Sequence, residues 1–185
     1  IISREQIELA NFVSEYYFTP INKTLKLFIP TKIFKNKKQR KSKLRPKEIL
    51  PQKKELKKLT SLQQKAVETI EQKNSSKTEG QRWLKNKFLI HGITGSGKTE
   101  IYLHLAKSQL DQGKQVLILV PEISLTPQTV EYFESRLQVK AAVIHSKLAE
   151  GERQKTWIKI KSEEKKLIIG SRSAIFSPSV SFPFT

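Results

Sequence analysis

Apolar and polar positions alternate along the chain in three different ways. In residues 1–31, Ile2, Leu9, Val13 and Tyr16 can share one helical face. Thr19 and Pro20 then read as an N-cap followed by Pro at the first helical position. Ile21, Leu25, Phe28 and Ile29 follow at i, i+4, i+7 and i+8, and Pro30 ends that element. Two helices this short cannot bury their apolar faces alone, so they are expected to belong to a domain that begins before Ile1. Residues 32–58 have no sustained apolar period, contain Pro46 and Pro51, and read as a mobile linker. A helix is predicted from Leu59-Thr60, with Thr60 as cap and Ala66, Val67 and Ile70 on one face, then a polar loop over 71–80.

From Trp83 onward short apolar runs alternate with helical periods. The runs KFLIH (87–91), QVLILV (115–120), AAVIH (141–145) and LIIG (167–170) predict strands. Residues 98–110, closed by Gly113, 126–137, and 148–161 with Trp157, Ile158 and Lys161 near its end, predict helices. Strands alternating with helices imply an α/β fold with a parallel sheet covered on both faces.

Composition narrows the chemistry. The 185 residues include no cysteine, so disulfides, thiolate chemistry and Cys-ligated zinc are excluded within them. His91, His104 and His145 show no paired metal spacing. No apolar run approaches the roughly 20 residues of a membrane span, and no signal peptide is visible. The chain starts at Ile1 rather than Met, which suggests that more of the protein precedes it. The formal net charge is +18, and the stretch 32–58 alone holds 13 Lys and Arg against Glu48 and Glu55. Such a run is either a solvated linker or a contact for nucleic-acid phosphates.

Residues 92–99 read GITGSGKT and match G-x-x-x-x-G-K-[ST] at every fixed position, between a predicted strand and a predicted helix. Gly92, Gly95 and Gly97 let the backbone bend around an anion where a Cβ would clash. The amides from Ile93 through Ser96 to Glu100 can then converge on phosphates, aided by the helix N-terminus. Lys98 is placed for the β- and γ-phosphates, and the Thr99 hydroxyl for magnesium. Candidate nucleotide-contacting residues are therefore Gly92, Ile93, Thr94, Gly95, Ser96, Gly97, Lys98, Thr99 and Glu100. Lys98 and Thr99 are also the candidate catalytic pair, with ATP and Mg2+ as cofactors. An ordinary glycine turn with an exposed Lys98 is the bland alternative.

The ordered set FLIHGITGSGKTEIYLH, VLILVPEISLTPQT, VIHSKLAEGER and IIGSRSAIFSP resembles the PriA family of superfamily 2 replication-restart helicases. EYYFTPINKTLKLFIP (15–30) is similar to the end of that family's 3′ DNA-end-binding domain. The resemblance covers about 1–31 and 59–185. It implies three parts: 1–31, the C-terminal part of a 3′ DNA-end-binding domain; 32–58, a basic linker; and 59–185, the N-terminal part of a RecA-like ATP-binding lobe. It also implies roles. PEISLTPQ (121–128) resembles helicase motif Ia, whose Thr126 and Gln128 would meet a DNA phosphate; an ordinary N-cap is the alternative. GSRS (170–173) resembles motif Ib, with Arg172 and Ser173 at DNA or bracing the site. His145-Ser146 would touch the strand or simply form a turn. LTSLQQ (59–64) resembles the adenine-recognising segment, with Gln64 pairing to the base or lying on the surface.

The same resemblance implies a 3′-to-5′ helicase acting at forked DNA and single-stranded 3′ ends. Primosome and single-strand-binding proteins would be its partners, in a bacterial, nucleoid-associated cytoplasmic setting without a membrane. It implies zinc in the full-length family, although no cysteine ligands occur in this sequence. The family's Asp-Glu-Glu-His segment, second lobe, arginine finger and winged-helix domain find no counterpart in these residues, and no acidic residue follows Glu164. The expectation is a chain that binds nucleotide weakly and does not unwind DNA by itself. Two rival readings remain: another P-loop NTPase such as a kinase, and a non-catalytic basic DNA-binding protein.

Overall fold

A computed structural model describes residues 2–30, 50–75 and 87–178. Three strands, β1 (Val116–Leu119), β2 (Ala141–Ile144) and β3 (Leu167–Gly170), form a parallel sheet in the order β1-β3-β2. Val116 and Ala141 both pair with Leu167, so the C-terminal ends of the strands, Leu119, Ile144 and Gly170, finish level. The centre strand β3 is buried at all four positions. That is why its sequence is continuously apolar rather than alternating.

Its alternation decides what covers each face. Leu167 and Ile169 join Leu103 and Ala106 of helix α4 (Lys98–Asp111) and Phe133 and Leu137 of α5 (Pro127–Leu137). Ile168 points the other way, to Ala142 and to Ile160 of α6 (Glu150–Lys161). The expected doubly covered sheet is therefore present. Gln115 ties the sheet's lower edge together, its amide donating to the carbonyls of Ile160 (2.9 Å) and Lys165 (3.2 Å). At the upper edge Gly170 is required by close approach: a Cβ there would collide with the Ile144 carbonyl oxygen and lie 2.5 Å from Ala174 Cβ.

Several expectations are corrected. The run 87–91 is not a strand: among the described residues it has no ladder partner, and Leu89 is 91% exposed. An apolar run becomes a strand only where a neighbour satisfies its backbone. The loop expected from residue 71 begins later, because α3 spans Ser61–Ser75. Residues 76–86, including Trp83, lie outside the described residues. In the basic stretch, 32–49 also lies outside them, whereas 50–58 runs along the lobe. There Lys54 N–H donates to the Ser135 carbonyl (3.0 Å), His104 Nε2 meets the Lys57 carbonyl (3.0 Å), and Leu56 packs on the α4–α5 core.

The N-terminal helices α1 (Arg4–Tyr16) and α2 (Ile21–Phe28) dock on the same lobe. A capping box between Ser3 and Gln6 starts α1. Its buried positions are Gln6 and Ala10, not the expected stripe: Tyr16 is 65% exposed. Gln6 is inside because its amide donates to the Ser177 carbonyl at 3.3 Å. On α2, Thr24 and Phe28 are buried and Ile21 is exposed. The cap is shifted by one residue, with Pro20 at the N-cap position and the Thr19 hydroxyl turned to the Tyr17 carbonyl (3.1 Å). Phe28 meets Phe176 edge-on at 5.0 Å. Trp157 Nε1 donates to the Phe28 carbonyl and the Arg153 guanidinium to the Leu27 carbonyl, each at 2.8 Å.

Candidate functional site

The phosphate loop bends where its glycines allow. Gly95 and Gly97 both have φ +82°, a left-handed conformation that suits residues without a Cβ. Gly97 is the N-cap of α4, so Lys98 and Thr99 open the helix with their amides facing away from it. Ser96 N–H closes the turn on the Ile93 carbonyl at 3.2 Å. The side chains of Ile93, Thr94, Ser96 and Thr99 are exposed around this turn. A Cβ on Gly92 would sit 2.6 Å from Ser96 Oγ, so the loop closes tightly at its entrance.

Lys98 reveals the electrostatics of the cradle. Its ammonium folds back to donate to the carbonyls of Gly92 (2.6 Å) and Ile93 (2.8 Å). It thus stands at the mouth of the loop, bound to two neutral acceptors that an anionic phosphate oxygen would outcompete. Free amides at the start of α4 add positive potential on the same side. The donor set fits a nucleoside triphosphate, and the exposed Thr99 hydroxyl fits a phosphate-bound magnesium.

Two neighbours border the loop. Gln64 lies on the exposed face of α3 with its amide on Glu68 (2.9 Å). Gln63, one residue earlier, reaches the loop and donates to the Ser96 carbonyl at 3.1 Å. Thr60 holds it there: Thr60 N–H donates to Gln63 Oε1 (2.9 Å) and Gln63 N–H to Thr60 Oγ1 (3.4 Å). The sequence signal for Gln63 was the Thr60-x-x-Gln63 capping box itself. Glu100 was expected among the nucleotide contacts through its amide; its side chain turns inward, where the carboxylate is buried and accepts the Tyr132 hydroxyl of α5 at 3.0 Å. Its other oxygen, Oε2, is buried without a partner, so the side chain is not open to a nucleotide. Burial raises the Tyr132 phenol pKa above its ordinary value; the bond to Glu100 and the charge of Glu100 add to this, and Arg136 opposes it.

The second constellation lies at the level C-terminal ends of the strands. After β1, a 3-10 turn (Glu122–Ser124) leads to Thr126, which caps α5 by accepting Thr129 N–H at 3.2 Å, with Pro127 next. Gln128 is exposed on the first turn of α5. After β2, Ser146 is exposed and donates to the Glu122 carboxylate at 2.5 Å, so the two loops join across the end of β3. After β3, Ser171 N–H donates to the Ile144 carbonyl (3.1 Å), and Arg172 opens a 3-10 turn (Arg172–Phe176) with its side chain exposed. The hydroxyls of Ser171 and Ser173 are 3.3 Å apart. Thr126 and His145 share the wall of an open cavity of about 610 Å³, with Leu125, Val130 and Val143. All six residues expected at nucleic acid thus occupy one end of the sheet, with Glu122 among them as an unexpected acceptor. Among the described residues there is no cluster of His, Asp and Glu suited to a metal ion, and no helix long and apolar enough to cross a membrane.

Comparison with known proteins follows the same motifs. A family model described as "Type III restriction enzyme, res subunit" matches residues 56–182. The chain is 54% identical over 91 residues to "Replication restart protein PriA" of Bacillus subtilis, covering 49% of this chain and 11% of the relative. It is 35% identical over 173 residues to the Helicobacter pylori protein of that name, covering 94% and 24%. With the Rickettsia felis protein of that name it shares 33% over 178 residues, covering 96% and 25%. The chain therefore spans between about a tenth and a quarter of the length of these relatives. The chain belongs to the family described as "Type III restriction enzyme, res subunit", and the likeness to replication restart protein PriA read from its motifs holds along nearly its whole length.

Proposed function

We propose that this chain carries the ATP-binding part of a motor that moves 3′ to 5′ on DNA and acts in replication restart at stalled forks. In this reading residues 59–185 are the N-terminal part of a RecA-like lobe, and 1–31 belong to a module that takes the 3′ end of a strand. The basic stretch 32–58 connects the two and touches phosphates. The single observation that carries the reading is the phosphate loop, with Lys98 on the Gly92 and Ile93 carbonyls at the mouth of a glycine cradle opening a helix. Bound ATP would sit with its β- and γ-phosphates against Lys98 and the loop amides from Gly92 to Thr99. Magnesium would be held by Thr99. Gln63, and on the outer face Gln64, are the candidates for the adenine side.

A DNA strand would cross the C-terminal ends of β1, β2 and β3. Thr126, Gln128, His145, Ser146, Arg172 and Ser173 would meet its phosphates there, where ligands bind in open parallel sheets. The partners would be forked DNA, primosome proteins and single-strand-binding protein, in the bacterial cytoplasm at the nucleoid. The PriA names of the relatives and the shared family support this assignment.

The test is titration of a fluorescent ATP analogue into the wild type and Lys98→Ala. Loss of a charge-assisted contact costs roughly 1.5–3 kcal/mol, about 10- to 150-fold in affinity. Unchanged affinity in a folded variant would overturn the nucleotide site.

A further inference from the structure

The two halves of the proposed site are joined by a partly buried hydrogen bond. Glu100 follows Lys98 and Thr99 in the first turn of α4. Its Oε1 accepts from the Tyr132 hydroxyl at 3.0 Å, while Oε2 is buried without a partner among the described residues. Tyr132 stands on α5, the helix that Thr126 caps. Tyr132 lies six positions after Thr126, about 9 Å along a helix axis. The Arg136 guanidinium lies 3.7 Å over the Tyr132 ring and also donates to the Tyr132 backbone carbonyl at 3.4 Å, which fixes the ring against α5.

This is an expensive arrangement for packing alone. A half-satisfied carboxylate between two helices is destabilising relative to an apolar contact of the same shape. Other residues at this interface, Leu103, Ala106, Phe133 and Leu137, show that apolar packing is available there. In the reading above, Lys98 would release the Gly92 and Ile93 carbonyls to meet a phosphate, and Glu100 lies two residues further on, in the same first turn of α4.

We propose that the Glu100–Tyr132 bond is the positioning link through which nucleotide at the phosphate loop and a DNA strand at the Thr126 end of α5 sense each other. The link rests on the nucleotide-and-strand reading above. Neither residue touches a ligand. Glu100 moves with the loop, Tyr132 moves with α5, and Arg136 keeps the phenol aimed at the carboxylate. Thermodynamic reciprocity then requires that nucleotide change DNA affinity by the same factor as DNA changes nucleotide affinity.

The experiment uses the whole chain, a fluorescein-labelled oligo-dT strand and a non-hydrolysable ATP analogue with magnesium. DNA affinity is read by anisotropy with and without saturating analogue, and analogue affinity with and without saturating DNA. The wild type is expected to show a factor of roughly fivefold or more, equal in both directions. Tyr132→Phe, which removes only the hydroxyl, should bring that factor close to one and leave each affinity measured alone within about twofold. Glu100→Gln keeps an acceptor for the phenol and should retain the factor. Thermal melts confirm that both variants are folded. A factor that persists in Tyr132→Phe, or a wild type that binds both ligands with a factor of one, overturns the link alone. A wild type that fails to bind one of the ligands overturns the underlying reading and the link with it.

Discussion

The Gln63 amide nitrogen donates to the Ser96 carbonyl across 3.1 Å, fastening the first turn of α3 to the crest of the phosphate loop. Ser96 lies 33 positions further along the chain. The contact stands beside Gly97, whose left-handed backbone begins α4. Gln63 is thus a structural brace for the cradle, whatever else it meets.

Gln63→Ala should weaken binding of a fluorescent ATP analogue more than Gln64→Ala. The lost hydrogen bond is worth roughly 0.5–1.5 kcal/mol, or about 2- to 12-fold. Gln64→Ala removes only an exposed bond to Glu68 and should change affinity by less than about twofold. Parallel titrations of the two variants decide it; a larger loss for Gln64→Ala would mean that the outer glutamine meets the base.

The basic stretch should carry most of the chain's affinity for duplex DNA. If about five phosphates are neutralised, log K against log salt should slope near −4. Replacing Lys37, Lys38, Arg40, Lys41 and Lys43 by Gln should flatten that slope, while Arg172→Ala and Thr126→Ala should act mainly on single strands. Anisotropy at several salt concentrations separates the contributions. An unchanged slope in the five-Gln variant would leave the stretch as a solvated linker.

Gly170→Ala should destabilise the lobe by about 1–3 kcal/mol, the usual range for forcing an atom into a filled space. The new methyl has the Ile144 carbonyl and Ala174 Cβ in its way, both fixed by the sheet and the turn that follows it. Urea denaturation of the variant against the wild type measures it. A loss under about 0.5 kcal/mol, the range of ordinary surface changes, would show that β2 and β3 can spread apart there.

Alkaline pH should reveal the Tyr132 environment. Burial, then the bond to Glu100 and its charge, hold the folded-state pKa above the unfolded value, so the neutral phenol is the form the fold favours. Stability tied to this group is fully present below pH of about 10 and is lost as pH rises through the higher folded value. Denaturation at pH 8 and pH 11 should therefore show a smaller alkaline loss for Tyr132→Phe than for the wild type. Equal losses would place the phenol in ordinary solvent.

What the sequence disclosed follows from how local each determinant is. Residues 167–170 were legible to the residue because a run buried on both faces needs no partner-specific pattern. The run at 87–91 has the same character, yet Leu89 faces solvent; whether a run finds a neighbour depends on contacts far along the chain. The glycine cradle and Lys98 could be read directly, since each backbone bend demands its residue type. The sequence left Gln64 at the base or on the surface; one helical step turns a side chain by about 100°, and the Thr60 capping pair turns Gln63 to the loop. The buried face of α1 was misread because Gln6 earns its place from a carbonyl 171 positions away. The inward turn of the Glu100 side chain likewise depends on a partner 32 positions away, on α5.

The docking of α2 has a consequence for how this part of the chain can change. Trp157 and Arg153 both lie on α6, and both grasp carbonyl oxygens of α2, at Phe28 and Leu27. A backbone carbonyl survives nearly every substitution of the residue that bears it. The side chain at Leu27 can therefore vary without loosening this hold, whereas the indole and guanidinium on α6 have no such freedom. Sequence drift at Leu27 leaves the two grips intact, so this part of the attachment of the N-terminal helices is inherited with α6, the helix that also carries the chain from β2 to β3.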